Sequence, residues 1–269
     1  MLDYQKKYSL GVLISILLII VFIYIINLKY FGIPVLNYHI ISNREINPIA
    51  ITPKEFDEQM AYLHNNDYTT ISPDDLLDYI QYNAQLPEKP ILITFDDGYR
   101  DTYTEAYPIL KKYNFTATIF LITDYVGNNI RYLNWEQVKE MHSNGFTFGS
   151  HTLNHVSLLD ASNEYATYQL TKSREGIEWI LKEQVKYFAY PGGFYNQTIA
   201  QLVKQSGYRA AFAVQLGKNT TTSDIYALSR IPIFKSIHSF NSFWLRLKCT
   251  QLVNIISEIR KDLACTKSL

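Results

Sequence analysis

Cysteine is nearly absent from this chain: Cys249 and Cys265 are the two in 269 residues. That excludes a disulfide framework and a cysteine-rich zinc module, and leaves a C-terminal pair that either closes one bridge or stays as two thiols. An excess of either charge is missing too, since 25 Lys and Arg balance 25 Asp and Glu. A protein that neutralises nucleic-acid phosphates needs a basic surplus, so no nucleic-acid partner is expected. Glycine and proline are sparse, at 11 and 9, which excludes collagen-like and low-complexity polymers. What is present is apolar: 47% hydrophobic residues, enough to bury a sizeable core.

One long uncharged run stands out. Residues 10–26 read LGVLISILLIIVFIYII, and at about 1.5 Å per residue a helix of that length reaches about 25 Å, enough for a thin crossing. Lys6 and Lys7 precede it and Lys29 follows, placing the N-terminus in the cytoplasm by the positive-inside rule. A cleaved signal peptide is the rival, but its core is usually shorter and no small-x-small cleavage site follows here. The expected organisation is a stub and single-pass signal-anchor over residues 1–29. An extracellular domain over 30–269 follows it, with secretion after cleavage as the alternative.

The rest alternates short apolar runs with helical stretches, the pattern of a parallel α/β fold. Strands are expected at 33–38, 91–95, 117–122, 146–149, 187–190, 209–214 and 228–234. Helices are expected at 53–65, from Ser72-Pro73, at 104–113, 135–143, 164–182 and 199–207, with an amphipathic stretch over 240–263. The helix at 53–65 has Thr52 as N-cap and Pro53 at its first position. The fold class is therefore α/β, a distorted barrel of about seven strands. In such a barrel the C-terminal strand ends share one mouth, and polar residues sit at several of them: His39, Asp96-Asp97, His151 and Pro191-Gly192-Gly193.

Asp96-Asp97-Gly98 reads as a turn or as a functional pair. Two adjacent carboxylates ionise together in a buried place only if a cation separates their roles. His151 and His155, four apart in His-Thr-Leu-Asn-His, read as a metal-binding pair or as two ordinary histidines. No Glu lies between them, so they are not the zincin helix motif. One carboxylate and two imidazoles would leave a coordination position open, as catalytic zinc sites do.

In order, TFDDGYRDTYTEAYPILKKYNFTATIFLI, NWEQVKEMHSNGFTFGSHTLNHVSL and FAYPGGFYN resemble the polysaccharide deacetylase family, also called the NodB-homology domain or carbohydrate esterase family 4. PVLNYHI, TPKEFDEQMAYL and ALSRIPI resemble its poly-N-acetylglucosamine (intercellular-adhesin) branch. The resemblance spans roughly residues 33–235. It implies a hydrolase that removes N-acetyl groups from N-acetylglucosamine units of a surface polymer, poly-β-1,6-N-acetylglucosamine before peptidoglycan or chitin-like chains. A divalent metal is implied, zinc first.

By the same resemblance Asp96 is the general base, and Asp97, His151 and His155 hold the metal. His39 is the general acid from a displaced Leu-x-x-His element, on the side opposite the base, with His238 as the later alternative. The family's usual Arg before Pro is missing from Phe188-Ala189-Tyr190-Pro191. Arg230 stands in for it, or else makes an ordinary ion pair. Tyr190, Gly192 and Trp135 are the substrate-binding expectations, Gly192 through its backbone N–H and Trp135 through stacking on a sugar, with turn geometry and core packing as the plain alternatives. His64 and His142 are read as helix-surface residues. A glycosidase with two flanking carboxylates, or a non-catalytic sugar-binding module, are the other function classes.

Overall fold

The computed structural model describes residues 32–235 and 241–250, with Leu17 and Val21. Among the described residues no helix is long and apolar enough to cross a membrane. The expected anchor lies outside them but for Leu17 and Val21, as do His238, Cys265 and the end of the last amphipathic stretch. Cys249 is a free thiol.

Residues Ile33–Thr250 form one compact unit. Its strands are β1 (Val35–Tyr38), β2 (Ile40–Ile41), β3 (Ala50–Ile51), β4 (Thr69–Thr70), β5 (Pro90–Phe95), β6 (Thr118–Leu121), β7 (Thr147–Ser150), β8 (Tyr187–Ala189), β9 (Ala210–Leu216) and β10 (Leu228–Pro232). The order β1-β10-β9-β8-β7-β6-β5, with β5 returning to β1, closes a seven-stranded barrel. Every pairing in it is parallel. These are the seven expected strands. β4 flanks the start of β5, and β2 pairs with β3 outside the barrel; two-residue strands show no periodicity that a sequence could reveal.

The helices between the strands include α1 (Pro53–Asn65), α2 (Pro73–Tyr82), α3 (Tyr107–Lys112), α4 (Trp135–Ser143), α5 (Asn163–Leu181) and α6 (Gln197–Gln205), and residues 241–250 are helical as well. Capping boxes open three of them: Thr52 with Glu55, Ser72 with Asp75, and Asn134 with Gln137. Each satisfies N–H groups that the first turn leaves unpaired. Ahead of α3 the chain makes a wide π-type turn over Thr102–Ala106, where the Tyr107 N–H reaches back to Thr102. The expected single helix at 104–113 is thereby split.

Strand parity divides the core. Ile91, Ile93 and Phe95 face the helices with Phe56, Leu110 and Val138, whereas Val35, Leu92, Phe120, Phe212 and Leu228 form the inner cluster. Leu76, Leu77 and Ile80 of α2 join that inner cluster. They seal the barrel near its strand starts and leave the strand-end mouth for chemistry.

Candidate active site

The turn that ends β5 separates two adjacent carboxylates. Asp96 keeps the strand's inward parity and is 2% exposed. Asp97 and Gly98 both adopt left-handed backbone, with φ of 71° and 73°. A Cβ on Gly98 would sit 2.7 Å from Leu121 Cδ2, so glycine is favoured there. The dipeptide is a turn, and the turn sends Asp96 and Asp97 to different partners.

Asp96 meets Arg230. The Arg230 Nη1 and Nη2 donate to Asp96 Oδ1 and Oδ2 at 2.7 and 2.8 Å, Nε donates to the Ala213 carbonyl at 2.9 Å, and the guanidinium is fully buried inside the barrel. Burial by itself would raise the Asp96 pKa. The charge of Arg230 outweighs it and holds the carboxyl well below the usual range. His39, just past β1, places Nε2 at 3.9 Å from Asp96 Oδ2 and has a buried Nδ1 without a partner. It stands beside Asp96 at the same mouth. The cause is direct pairing of β1 with β5, which sets Tyr38 against Phe95.

Asp97 meets the histidines. Its Oδ1 lies 3.5 Å from His151 Nε2 and 3.4 Å from His155 Nε2, and is buried without a hydrogen bond. Burial, with the Asp96 charge added, lifts the Asp97 pKa to about 6. Burial pushes His151 down to about 3 and lowers His155 as well. His151 Nδ1 donates to the Ala189 carbonyl at 2.7 Å, fixing the tautomer that leaves Nε2 a lone pair. Three converging donors, an orphaned buried carboxylate oxygen and two neutral imidazoles fit a divalent cation.

The remaining expectations divide. Tyr190 is corrected: its side chain is fully buried in the barrel–helix layer, and its hydroxyl donates to the Tyr226 carbonyl at 2.9 Å. Strand parity explains this, because Tyr187 and Ala189 point inward and Phe188 and Tyr190 outward. Gly192 is exposed in a left-handed turn just past β8, with φ of 65°. Trp135 opens α4, partly buried against the core. His64 is an exposed residue of α1, and His142 pairs with Glu183 at 3.0 Å on the surface.

A polysaccharide deacetylase family model matches residues 83–211. YxkH of Bacillus subtilis, itself assigned as a polysaccharide deacetylase, is 34% identical over 75% of this chain and 71% of its own. The chain belongs to the polysaccharide deacetylase family. It is similar to the poly-β-1,6-N-acetyl-D-glucosamine N-deacetylase of Staphylococcus aureus, at 30% identity over 73% of this chain and 72% of that protein. The deacetylase PplD of Streptococcus pyogenes, solved with acetate, superposes with a TM-score of 0.75 at 30% identity, covering 80% of this chain and 98% of that one. The protein is thus a polysaccharide deacetylase. His39 and Arg230 lie outside the stretch matched by the family model, so their part in the site is seen through the barrel that brings them to Asp96.

Proposed function

We propose that this deacetylase hydrolyses the N-acetyl groups of an extracellular N-acetylglucosamine polymer, poly-β-1,6-N-acetylglucosamine first, with a divalent cation, zinc first, held by Asp97, His151 and His155. The observation that carries the reading is the division of labour at the end of β5, where one carboxylate is fixed by an arginine and its neighbour faces two imidazoles. The staphylococcal relative supports the choice of polymer. A cation on those three ligands would polarise the acetamide carbonyl and make water more acidic.

Asp96, kept ionised by Arg230, takes the proton from the attacking water as the C–O bond forms. His39 hands a proton to the nitrogen as the C–N bond breaks, so acetate and a free amine leave. Arg230 is a positioning residue: it holds both Asp96 oxygens in one plane and keeps the carboxyl charged. Gly192, at the mouth with an exposed backbone, and Trp135 are assigned to the sugar chain.

The experiment is acetate release from defined β-1,6 and β-1,4 N-acetylglucosamine oligomers. Faster release from the β-1,6 series is expected; release confined to the β-1,4 series would contradict the choice of polymer. The uncharged run at 10–26 supports a single-pass anchor that places the domain outside the cell. Full-length protein should stay with membranes through an alkaline wash, and a soluble product beginning near residue 30 would contradict that.

A further inference from the structure

Helix α5 carries polar residues where its packing calls for apolar ones. Its buried stripe runs Ala166, Gln169, Leu170, Ser173, Ile177, a helical spacing at which a core-facing helix normally presents hydrophobic side chains. Gln169 is 1% exposed and Ser173 fully buried. A buried amide is retained at a cost unless it is hydrogen-bonded, so its partners show what it is for. Gln169 Oε1 accepts from the Leu153 N–H at 3.0 Å, and its Nε2 donates to the Tyr165 hydroxyl at 2.9 Å. That hydroxyl also lies 3.4 Å from Asn154 Nδ2. Ser173 Oγ, one turn further along α5, lies 2.6 Å from Ser150 Oγ at the end of β7. Ser150, Leu153 and Asn154 all belong to the segment that carries His151 and His155.

This segment has reason to need holding. Thr152 and His155 both adopt left-handed backbone, with φ of 69° and 64°, which non-glycine residues avoid. Its other ties include the Thr152 and Leu153 carbonyls, which accept from the Thr123 and Asp124 N–H groups at 3.2 and 2.9 Å, the His155 N–H on Thr152 Oγ1 at 3.0 Å, and the Thr152 N–H on Ser150 Oγ at 3.3 Å. His151 is buried and anchored through Ala189, whereas the His155 side chain is 41% exposed. Of the two imidazoles, His155 depends more on the path of the loop.

We propose that Gln169 is a positioning residue for the metal: through Leu153 it fixes the turn that aims His155 at the point shared with Asp97 and His151. The proposal rests on the ligand assignment made above. Removing the amide frees the Leu153 N–H and lets the turn relax, so the cost falls on metal affinity.

The test is zinc binding by competition titration on the purified wild-type protein and two variants, with thermal unfolding of each metal-free protein. Gln169→Met keeps the length and removes both hydrogen bonds; its zinc Kd should rise on the order of 10–100-fold, the usual effect of losing a residue that orients a metal ligand. Gln169→Glu keeps an acceptor for Leu153, and its zinc Kd should stay within about threefold of wild type. A folded Gln169→Met protein with wild-type zinc affinity would overturn the proposal, as a purely structural role would lower only the unfolding temperature. Should Gln169→Met not fold, a Gln169→Glu protein weakened as much as 10-fold or more overturns it as well. A wild-type protein that binds no zinc would instead remove the ligand assignment on which the proposal stands.

Discussion

Arg230→Met is expected to destabilise the domain by about 3–5 kcal/mol and to abolish measurable acetate release. The stability loss follows from burial: Asp96 and Arg230 are 2% and 0% exposed, and removing one member of a buried pair strands the other charge in a low dielectric. For a domain of this size that is a fall in Tm of roughly 6–20 °C. Asp96 escapes by taking up a proton, because the group that outweighed its burial is gone. A protonated Asp96 cannot accept the proton of water, so activity falls along with stability. Adding Asp96→Asn to Arg230→Met should restore part of the Tm and none of the activity. A single Arg230→Met variant with wild-type Tm and turnover would contradict the pairing.

His39→Ala should keep the fold and the metal while kcat drops on the order of 10²–10⁴-fold, the span attributed to a general acid. An amine is a poor leaving group until protonated, and an imidazole is the side chain suited to supply that proton near neutral pH. His39 is placed to do it, at the barrel mouth with Nε2 3.9 Å from the Asp96 carboxylate. It is not needed for the metal, since Asp97, His151 and His155 converge without it. His238, outside the described residues, should tolerate alanine with little effect. Inactive His238→Ala beside active His39→Ala would return the acid to the later position.

Much of this was legible in the residue string, for identifiable reasons. Runs such as Ile91–Phe95 are apolar but for Thr94 because the barrel buries both faces of each strand, so the seven strands stand out from the helices between them. The convergence of Asp96, Asp97 and His151 was legible because strand ends share one mouth; His155 was read from its spacing to His151, and the roles of all four from the family resemblance. Side-chain direction was harder. Tyr190 sits at the end of a strand like the others, yet its parity turns it outward, and only the inward Tyr187 and Ala189 reveal that. Arg230 was ambiguous for a related reason: it faces inward with Leu228, but its pairing with Asp96 depends on a barrel closing across more than a hundred residues. Gln169 left no signal, because a glutamine within a helix reads as surface until a tertiary partner claims it.

The central claim is that Asp97, His151 and His155 form a metal site, with Asp96 and His39 left free for proton transfer. The most direct measurement is zinc bound per chain, taken on wild type, His151→Ala and His39→Ala purified in parallel. The expected result is about one zinc in wild type and in His39→Ala, and essentially none in His151→Ala, as loss of one of three protein ligands dictates. Stoichiometric zinc in His151→Ala, or its loss in His39→Ala, would contradict the account.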